Sequence, residues 1–238
     1  MSILTAEKIC VSYNGLPVIE DISLSLGKNE LVCLLGVSGI GKSTLFNALS
    51  GVSPPDSGRV FLDGEEITGR AGKISYMQQK DLLLPFKTVL DNVCLPLVIC
   101  GEKRKFARLK ALQYFDKFGL SGYEDKYPNQ LSGGMRQRAA LLRTYLFKSD
   151  VMLLDEPFSA LDAITRGAMQ QWYLKLQSSL GICALFITHD IDEAILLSDR
   201  IYLMTGIPGK ITHEIKLEAP KPRGDDFTTS QKFVEYKR

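Results

Sequence analysis

The chain has no long apolar run. None of its hydrophobic stretches approaches the ~18 residues that cross a bilayer as a helix, so a membrane role has to come through a partner. The opening "MSILTAEKIC" has no basic segment followed by an apolar one, and so lacks the pattern of a secretory signal. An excess of one charge is missing too. Lys and Arg number 29 and Asp and Glu 27, a net +2, too little to argue for nucleic acid as partner. The five cysteines (Cys10, Cys33, Cys94, Cys100, Cys183) form no Cys-x-x-Cys pair and lie mostly inside apolar runs. An odd count without a framework reads as reduced, core-filling thiols in a cytosolic setting. Internal repeats and low-complexity segments are absent.

What is present is 238 residues, 45% apolar and 24% charged, which predicts one large globular domain with appended lobes. The stretch "LLGVSGIGKST" meets the Gly-x-x-x-x-Gly-Lys-Ser/Thr spacing at Gly36, Gly41, Lys42 and Ser43. An apolar run, Leu31 to Leu35, precedes it and reads as a strand buried on both faces. Ser43 to Ser50 follows as a helix, with Gly51 as its stop. Strand, glycine loop and helix together make a phosphate cradle of inward N–H groups, aided by the helix dipole. Gly36, Val37, Ser38, Gly39, Ile40, Gly41, Lys42, Ser43 and Thr44 are therefore the candidate contacts of a nucleoside triphosphate. Lys42 supplies charge for the β- and γ-phosphates, and the Ser43 hydroxyl is a hard ligand suited to Mg²⁺.

The first third reads as β-rich. Ile22, Leu24 and Leu26 alternate, and Asn14-Gly15 marks a turn between two strands. Lys103 to Phe118 predicts an amphipathic helix with Ala107, Ala111, Leu112, Phe115 and Phe118 on one face, ended by Gly119. Its basic cluster reads as a solvated face. From Val151 the order is strand, helix (Thr165 to Leu180) and strand ("CALFIT"), a right-handed crossover between parallel strands. Ile211, His213, Ile215 and Leu217 alternate as on an edge strand, where His213 is structural. "PKPRGDD" begins a polar tail too short for another domain.

Mg²⁺ needs a carboxylate as well as a hydroxyl, and Asp155 ends a predicted buried strand, where α/β proteins place ligand-binding groups. Glu156 follows, aimed differently by the two-residue alternation and free to polarise a water. "LSGGMRQR" places Ser132, Gly133 and Gly134 before a helix running through Met135 to Leu146, a second anion-binding end. Either that end binds another anion, or it closes over the same nucleotide from a second copy of the chain.

"GVSGIGKST", "LSGGMRQ", "LLDEP", "SALD" and "THD", in that order from about Lys8 to about Leu217, resemble the nucleotide-binding subunit of an ABC transporter. "DLLLPF", "TVLDNV", "DEPFSALDAITR" and "SDRIYLM" are similar to the branch that powers bacterial uptake of nitrate, sulfonates, taurine and pyrimidine precursors. The resemblance implies an α/β fold: a P-loop NTPase core with a mixed, mainly parallel sheet, an N-terminal antiparallel β lobe and a helical signature lobe. It implies one domain over 1–238, with the lobe at about 82–148 and a tail at about 219–238. Tyr13 then falls where an aromatic ring stacks on adenine. Gln79, favoured over its neighbour Gln78, senses Mg²⁺ and the attacking water. Glu156 matches the catalytic base and His189 the switch at the γ-phosphate. Ser132, Gly133 and Gly134 meet the nucleotide of the opposite subunit, and Asp162 lies at that seam. Ser43, Gln79 and Asp155 form the metal set.

The implied assembly is a homodimer bound to two membrane permease subunits and, through them, an extracytoplasmic solute-binding protein, with no nucleic acid. It would sit peripherally on the cytoplasmic face of the membrane, using ATP and Mg²⁺. Leu82, Leu83, Leu84 and Phe86 form a loop before a Thr88/Asp91 capping box. At least two of the four are expected to be buried, with the rest lining the permease groove. Gln78 and Phe86 depart from the branch's usual apolar or aromatic residue and tryptophan there. An ATPase serving a soluble machine is the alternative, opposed by the single cassette and the lack of a coiled-coil insertion. A GTPase-like switch lacks the Asn-Lys-x-Asp guanine reader.

Overall fold

The computed structural model describes residues 2–147 and 149–238. In chain order it runs β1 (Ser2–Tyr13), β2 (Leu16–Gly27), β3 (Leu31–Leu35), α1 (Lys42–Leu49), β4 (Ser57–Leu62), β5 (Glu65–Glu66) and β6 (Ser75–Met77). Helices α2 (Val89–Val93), α3 (Leu95–Ile99), α4 (Arg104–Phe115) and α5 (Gly133–Tyr145) follow. The second half is β7 (Val151–Asp155), α6 (Ala163–Leu180), β8 (Cys183–Thr188), α7 (Ile191–Leu197), β9 (Arg200–Thr205), β10 (Lys210–Lys216), α8 (Asp225–Thr228) and α9 (Gln231–Lys237).

Two sheets result. The antiparallel one has the order β2-β1-β4-β5, and the other β10-β9-β3-β8-β7-β6. In the larger sheet β9, β3, β8, β7 and β6 are parallel, and β10 adds antiparallel to β9. The β1–β2 hairpin turns at Asn14 and Gly15, both at positive φ, as the Asn-Gly pair predicts.

The central strands are apolar throughout because both faces are covered. On β3, Leu31 and Cys33 join a core shared with the helices of the middle third, whereas Val32 and Leu34 join the core under the antiparallel sheet. Met152 and Leu154 of β7 divide from Val151 and Leu153 in the same way. The five cysteines are free, and Cys33, Cys94 and Cys183 are buried. No helix among the described residues is long and apolar enough to cross a membrane.

Several expectations need correction. Helix α4 stops at Phe115 and buries the stripe Ala107, Ala111 and Phe115, beside which Leu112 stands at 39% exposure, while Phe118 reaches the core from the following turn. That turn is closed by Leu120 N–H on Phe115 O at 2.8 Å, with Gly119 at φ 65°. The β10 alternation breaks at Thr212, where the register with β9 slips by one residue. His213 stands exposed there. The Thr88 cap is half a box. Its hydroxyl accepts from Asp91 N at 3.2 Å, but the Asp91 carboxylate takes Arg104 at 2.6 Å and Arg108 at 2.5 Å instead. Those pairs account for part of the α4 basic cluster. Helix α5 starts two residues before Met135 and ends at Tyr145, and the expected lobe boundary at Lys148 lies outside the described residues.

The polar tail is docked rather than detached. Arg223 is 2% exposed. Its guanidinium donates to Ile195 O at 2.5 Å and Ser198 O at 2.6 Å, capping the C-terminal carbonyls of α7, and to Ala219 O at 2.6 Å. Lys237 binds Asp192 at 2.5 Å in the first turn of α7. Arg223→Ala strips several buried carbonyls at once, each costing about 1–3 kcal/mol when left unmet. Urea unfolding should therefore show a loss of at least about 3 kcal/mol. A loss under about 1 kcal/mol would mean that water reaches those carbonyls freely.

Candidate active site

Strand β3 delivers the chain to a loop that α1 closes. Gly41, at φ 103°, is the left-handed residue before the helix. A Cβ there would stand 2.5 Å from Ile19 Cγ2, so both conformation and the approach of β2 require glycine. A Cβ at Gly36 would press within 2.8 Å of Met204 O. Lys42, 5% exposed, folds back over the loop and donates to Gly36 O at 2.7 Å and Val37 O at 2.9 Å. Burial lowers its pKa, and the nearby Glu156 and Asp155 carboxylates oppose that shift. An ammonium has three donors, so one remains beyond the two loop carbonyls.

A cleft of about 310 Å³ opens over this loop, lined by Val18, Ser38, Gly39, Gly41, Lys42, Ser43, Thr44, Gln79, Asp155 and Glu156. Asp155 is buried at the end of β7. Burial raises its pKa, and a hydrogen bond from the Ser43 side chain counters that most directly. Tyr76 O–H, 3.4 Å from Asp155 Oδ2, touches the carboxylate from the other side. A hydroxyl and a carboxylate already in contact, beside a phosphate-sized cleft, suit a hard divalent cation completed by substrate oxygens and water. No cluster of three or more His, Cys, Asp or Glu side chains able to hold a metal by itself occurs among the described residues.

Glu156 is the centre of the polar network. Its Oε2 accepts from Gln79 Nε2 at 3.0 Å, and its Oε1 lies 3.1 Å from His189 Nδ1. Its aim does not come from strand alternation, as the sequence reading supposed. Glu156 leaves β7 at φ 45°, with its N–H on Ile187 O at 3.1 Å and its carbonyl accepting from Ser159 N and Oγ. A non-glycine residue in this conformation is strained and persists only where its surroundings over-determine it. His189 follows β8 and Thr188, and Asp190 then caps α7 by accepting from Asp192 N and Glu193 N.

The other expected residues stand apart. Tyr13 ends β1, half exposed and paired in register with Leu16, and the cleft wall on that side is Val18. Ser132 caps α5, its hydroxyl accepting from Met135 N at 3.3 Å. Asp162 caps α6 through Thr165 N at 3.0 Å. These two caps are neighbours, since a Cβ on Gly133 would lie 3.6 Å from Leu161 Cδ2, and one on Gly134 3.3 Å from Thr165 Cγ2. Neither the Ser132–Gly134 turn nor Asp162 lines the phosphate cleft.

A groove of about 440 Å³ runs between Val52, Ile74, Gln78, Leu82, Leu95, Ile99 and Phe147. Gln78 and Leu82 both line it. Phe86, 73% exposed, does not, and of the four loop residues only Leu83 is fully buried. At Leu82 the reason is Arg143, which holds the carbonyls of Asp81 and Leu82 at 2.5 and 2.8 Å, with Leu82 outward at φ 45°. Sequence reasoning missed Val18, Tyr76 and Arg143, none of which belongs to a recognisable spacing.

Residues 19–159 match the protein family described as ABC transporter. The chain belongs to that family. The formylaminopyrimidine import ATP-binding protein ThiZ of Halalkalibacterium halodurans is 45% identical to this cassette over 207 residues, 87% of this chain and 81% of ThiZ. The taurine import ATP-binding protein TauB of Pseudomonas aeruginosa is 41% identical over 222 residues, 92% of this chain and 84% of TauB. Among solved structures, a dimeric post-hydrolysis state of the ATP-binding cassette MJ0796 bound to ADP and Pi superposes with a TM-score of 0.78. It has 28% identity and covers 91% of this chain and 100% of that one. The ABC cassette fold expected from the motifs is the fold found.

Proposed function

We propose that this chain is the ATP-hydrolysing subunit of a bacterial ABC importer and that its whole length forms one ATPase domain. A helical lobe at about 82–148 carries the serine-glycine turn, and the tail spans about 219–238. The observation that carries the reading is the Glu156 carboxylate, held between Gln79 at 3.0 Å and His189 at 3.1 Å on the rim of the phosphate cleft. A site built only to bind nucleotide has no need of a strained carboxylate there.

The loop N–H groups and Lys42 bind and orient the triphosphate. Ser43 and Asp155, with Gln79 as the third group, would hold Mg²⁺, which would supply neutralising charge for the phosphates. Glu156 accepts the proton of the attacking water, and Gln79 and His189 fix its two oxygens in the meantime. Tyr13 stacks on adenine. Ser132, Gly133, Gly134 and Asp162, absent from the cleft of their own chain, act on the nucleotide of a second copy. The dimer works on two membrane permease subunits from the cytoplasmic face, with a solute-binding protein outside. By its likeness to ThiZ and TauB, the solute is a nitrate-, sulfonate- or taurine-like anion or a pyrimidine precursor. The same likeness disfavours a soluble machine as the partner.

The groove beside Gln78 is the permease seat, with Ile99 exposed at 76% on its wall. Ile99→Asp should leave Mg²⁺-dependent ATP hydrolysis by the isolated subunit within about twofold, as is usual for an exposed substitution. In vesicles carrying the assembled complex it should cut solute uptake by roughly 30-fold, the cost of a lost interface anchor. Absence of hydrolysis in the unaltered subunit would overturn the ATPase reading. Unchanged uptake would overturn the docking one.

A further inference from the structure

Arg166 lies in the first turn of α6, its own N–H bonded to Asp162 O at 2.8 Å. Its three guanidinium nitrogens meet three different fates. Nη2 donates to Leu161 O at 3.0 Å. Nη1 stands 3.8 Å from Asp190 Oδ2, within ion-pair range but beyond a hydrogen bond. Nε is buried with no hydrogen-bond partner among the described residues. Folded proteins seldom leave a buried donor unmet, and each exception calls for a cause.

The two ends of this side chain belong to different parts of the machine. Leu161 is in the "SALD" turn, beside the Asp162 cap and close to Gly133 of the serine-glycine turn. Asp190 directly follows His189 and caps α7. At the Asp190 end lies a small void of about 40 Å³, walled by Glu156, Ser159, Arg166, His189, Asp190 and Glu193 among others. Its far wall is fixed, because Glu193 is buried and accepts from Gln170 Nε2 at 2.8 Å. Its near wall is the incompletely engaged guanidinium. A void next to an unmet donor is room for that donor to move.

We propose that Arg166 is a positioning residue that ties the dimer seam to His189. It rests on the ATPase reading above. A second copy closing on Asp162 and the serine-glycine turn shifts Leu161, and the planar guanidinium carries that shift to Asp190. Nη1 then comes within hydrogen-bond range of the Asp190 carboxylate while Nη2 keeps Leu161 O, which sets His189 against Glu156 for hydrolysis. The role needs a rigid fork with donors in fixed relation. A lysine can reach Leu161 O or Asp190, but it cannot couple them. A merely structural Arg166 would brace the turn and nothing more.

Arg166→Gln, Arg166→Lys and Asp190→Asn test this, each compared with the unaltered full chain. Asn caps helices as well as Asp does, so the last variant removes the charge partner and keeps α7. Each should lower kcat for ATP about tenfold with KM and thermal midpoint unchanged, within the range for directly coupled neighbours. The Arg166→Lys/Asp190→Asn double variant should lose no more than either single one. Unchanged kcat, a change confined to the melting midpoint, or single losses that multiply would each overturn the proposal. Should Arg166→Gln fail to fold, the Lys and Asn variants carry the same comparison. If the unaltered chain hydrolyses ATP and the variants match it, only this inference fails. If the unaltered chain hydrolyses none, the ATPase reading fails with it.

Discussion

Glu156→Gln should bind ATP as the unaltered chain does, hydrolyse it ~10²–10⁴-fold more slowly, the usual cost of a lost general base, and accumulate as a closed dimer. The substitution keeps the shape of the side chain and removes its basicity. The Gln79 contact at 3.0 Å survives, because an amide oxygen accepts from Gln79 Nε2 as a carboxylate oxygen does. The His189 contact at 3.1 Å reverses, because the amide NH₂ now donates to an unprotonated Nδ1. The neutral imidazole therefore moves its proton to Nε2 and keeps its place. Lys42, Ser43 and Asp155 are untouched, so phosphate and metal binding persist. Single-turnover hydrolysis and sizing chromatography in Mg·ATP measure the two effects. Turnover at the unaltered rate would mean that another group activates the water, and a monomer in ATP would mean that bound, uncleaved ATP does not hold two copies closed.

The phosphate site was legible because each of its parts is local in sequence. A strand buried on both faces, a glycine-spaced loop and a helix require nothing from distant residues, and Leu31 to Leu49 forms as that pattern predicts. The β7–α6–β8 crossover was legible for the same reason. Glu156 was found through its neighbours, but its orientation was not, since a positive φ at a glutamate has no local signature. Arg166 and Arg223 illustrate the harder limit. Arg166 closes the "DEPFSALDAITR" run and Arg223 lies in the polar tail, neither with a role that the sequence assigns, and each matters through backbone carbonyls across a loop or far along the chain. The outward loop at Leu82 was misjudged because its conformation is set by Arg143, about sixty residues away. Hydrophobic pattern predicts burial of Leu112, yet the buried stripe of α4 runs through Ala107, Ala111 and Phe115 and leaves Leu112 at its edge. Long-range polar contacts leave no period to read.

Chains carrying Lys42→Ala and chains carrying Ser132→Arg should each be nearly inactive alone and should recover activity when mixed. In the folded chain the Ser132–Gly134 turn does not line the cleft that Lys42 closes. If the turn caps the nucleotide of a second copy, every complete site takes its loop from one chain and its cap from the other. Lys42→Ala removes the ammonium that holds Gly36 O and Val37 O, and with it the charge for the phosphates. Ser132 is the better cap position to alter because it is exposed, whereas Gly134 is buried with Thr165 against it. The arginine forfeits an N-cap worth about 1 kcal/mol and places bulk where an anion should sit. Mixed in equal amounts, two-fold pairing makes about half the dimers hybrid. In a hybrid both defects fall in one site and the other is intact, so phosphate release should reach about a quarter of the unaltered rate. A site completed within one chain would give none. The converse mixture sharpens the result, with chains carrying both substitutions mixed equally with unaltered ones. Sites shared across the dimer then leave only the unaltered homodimers working, about a quarter of the total, whereas self-contained sites would leave about half. Recovery in the first mixture with a quarter in the second supports the shared site, and silence in the first with a half in the second overturns it.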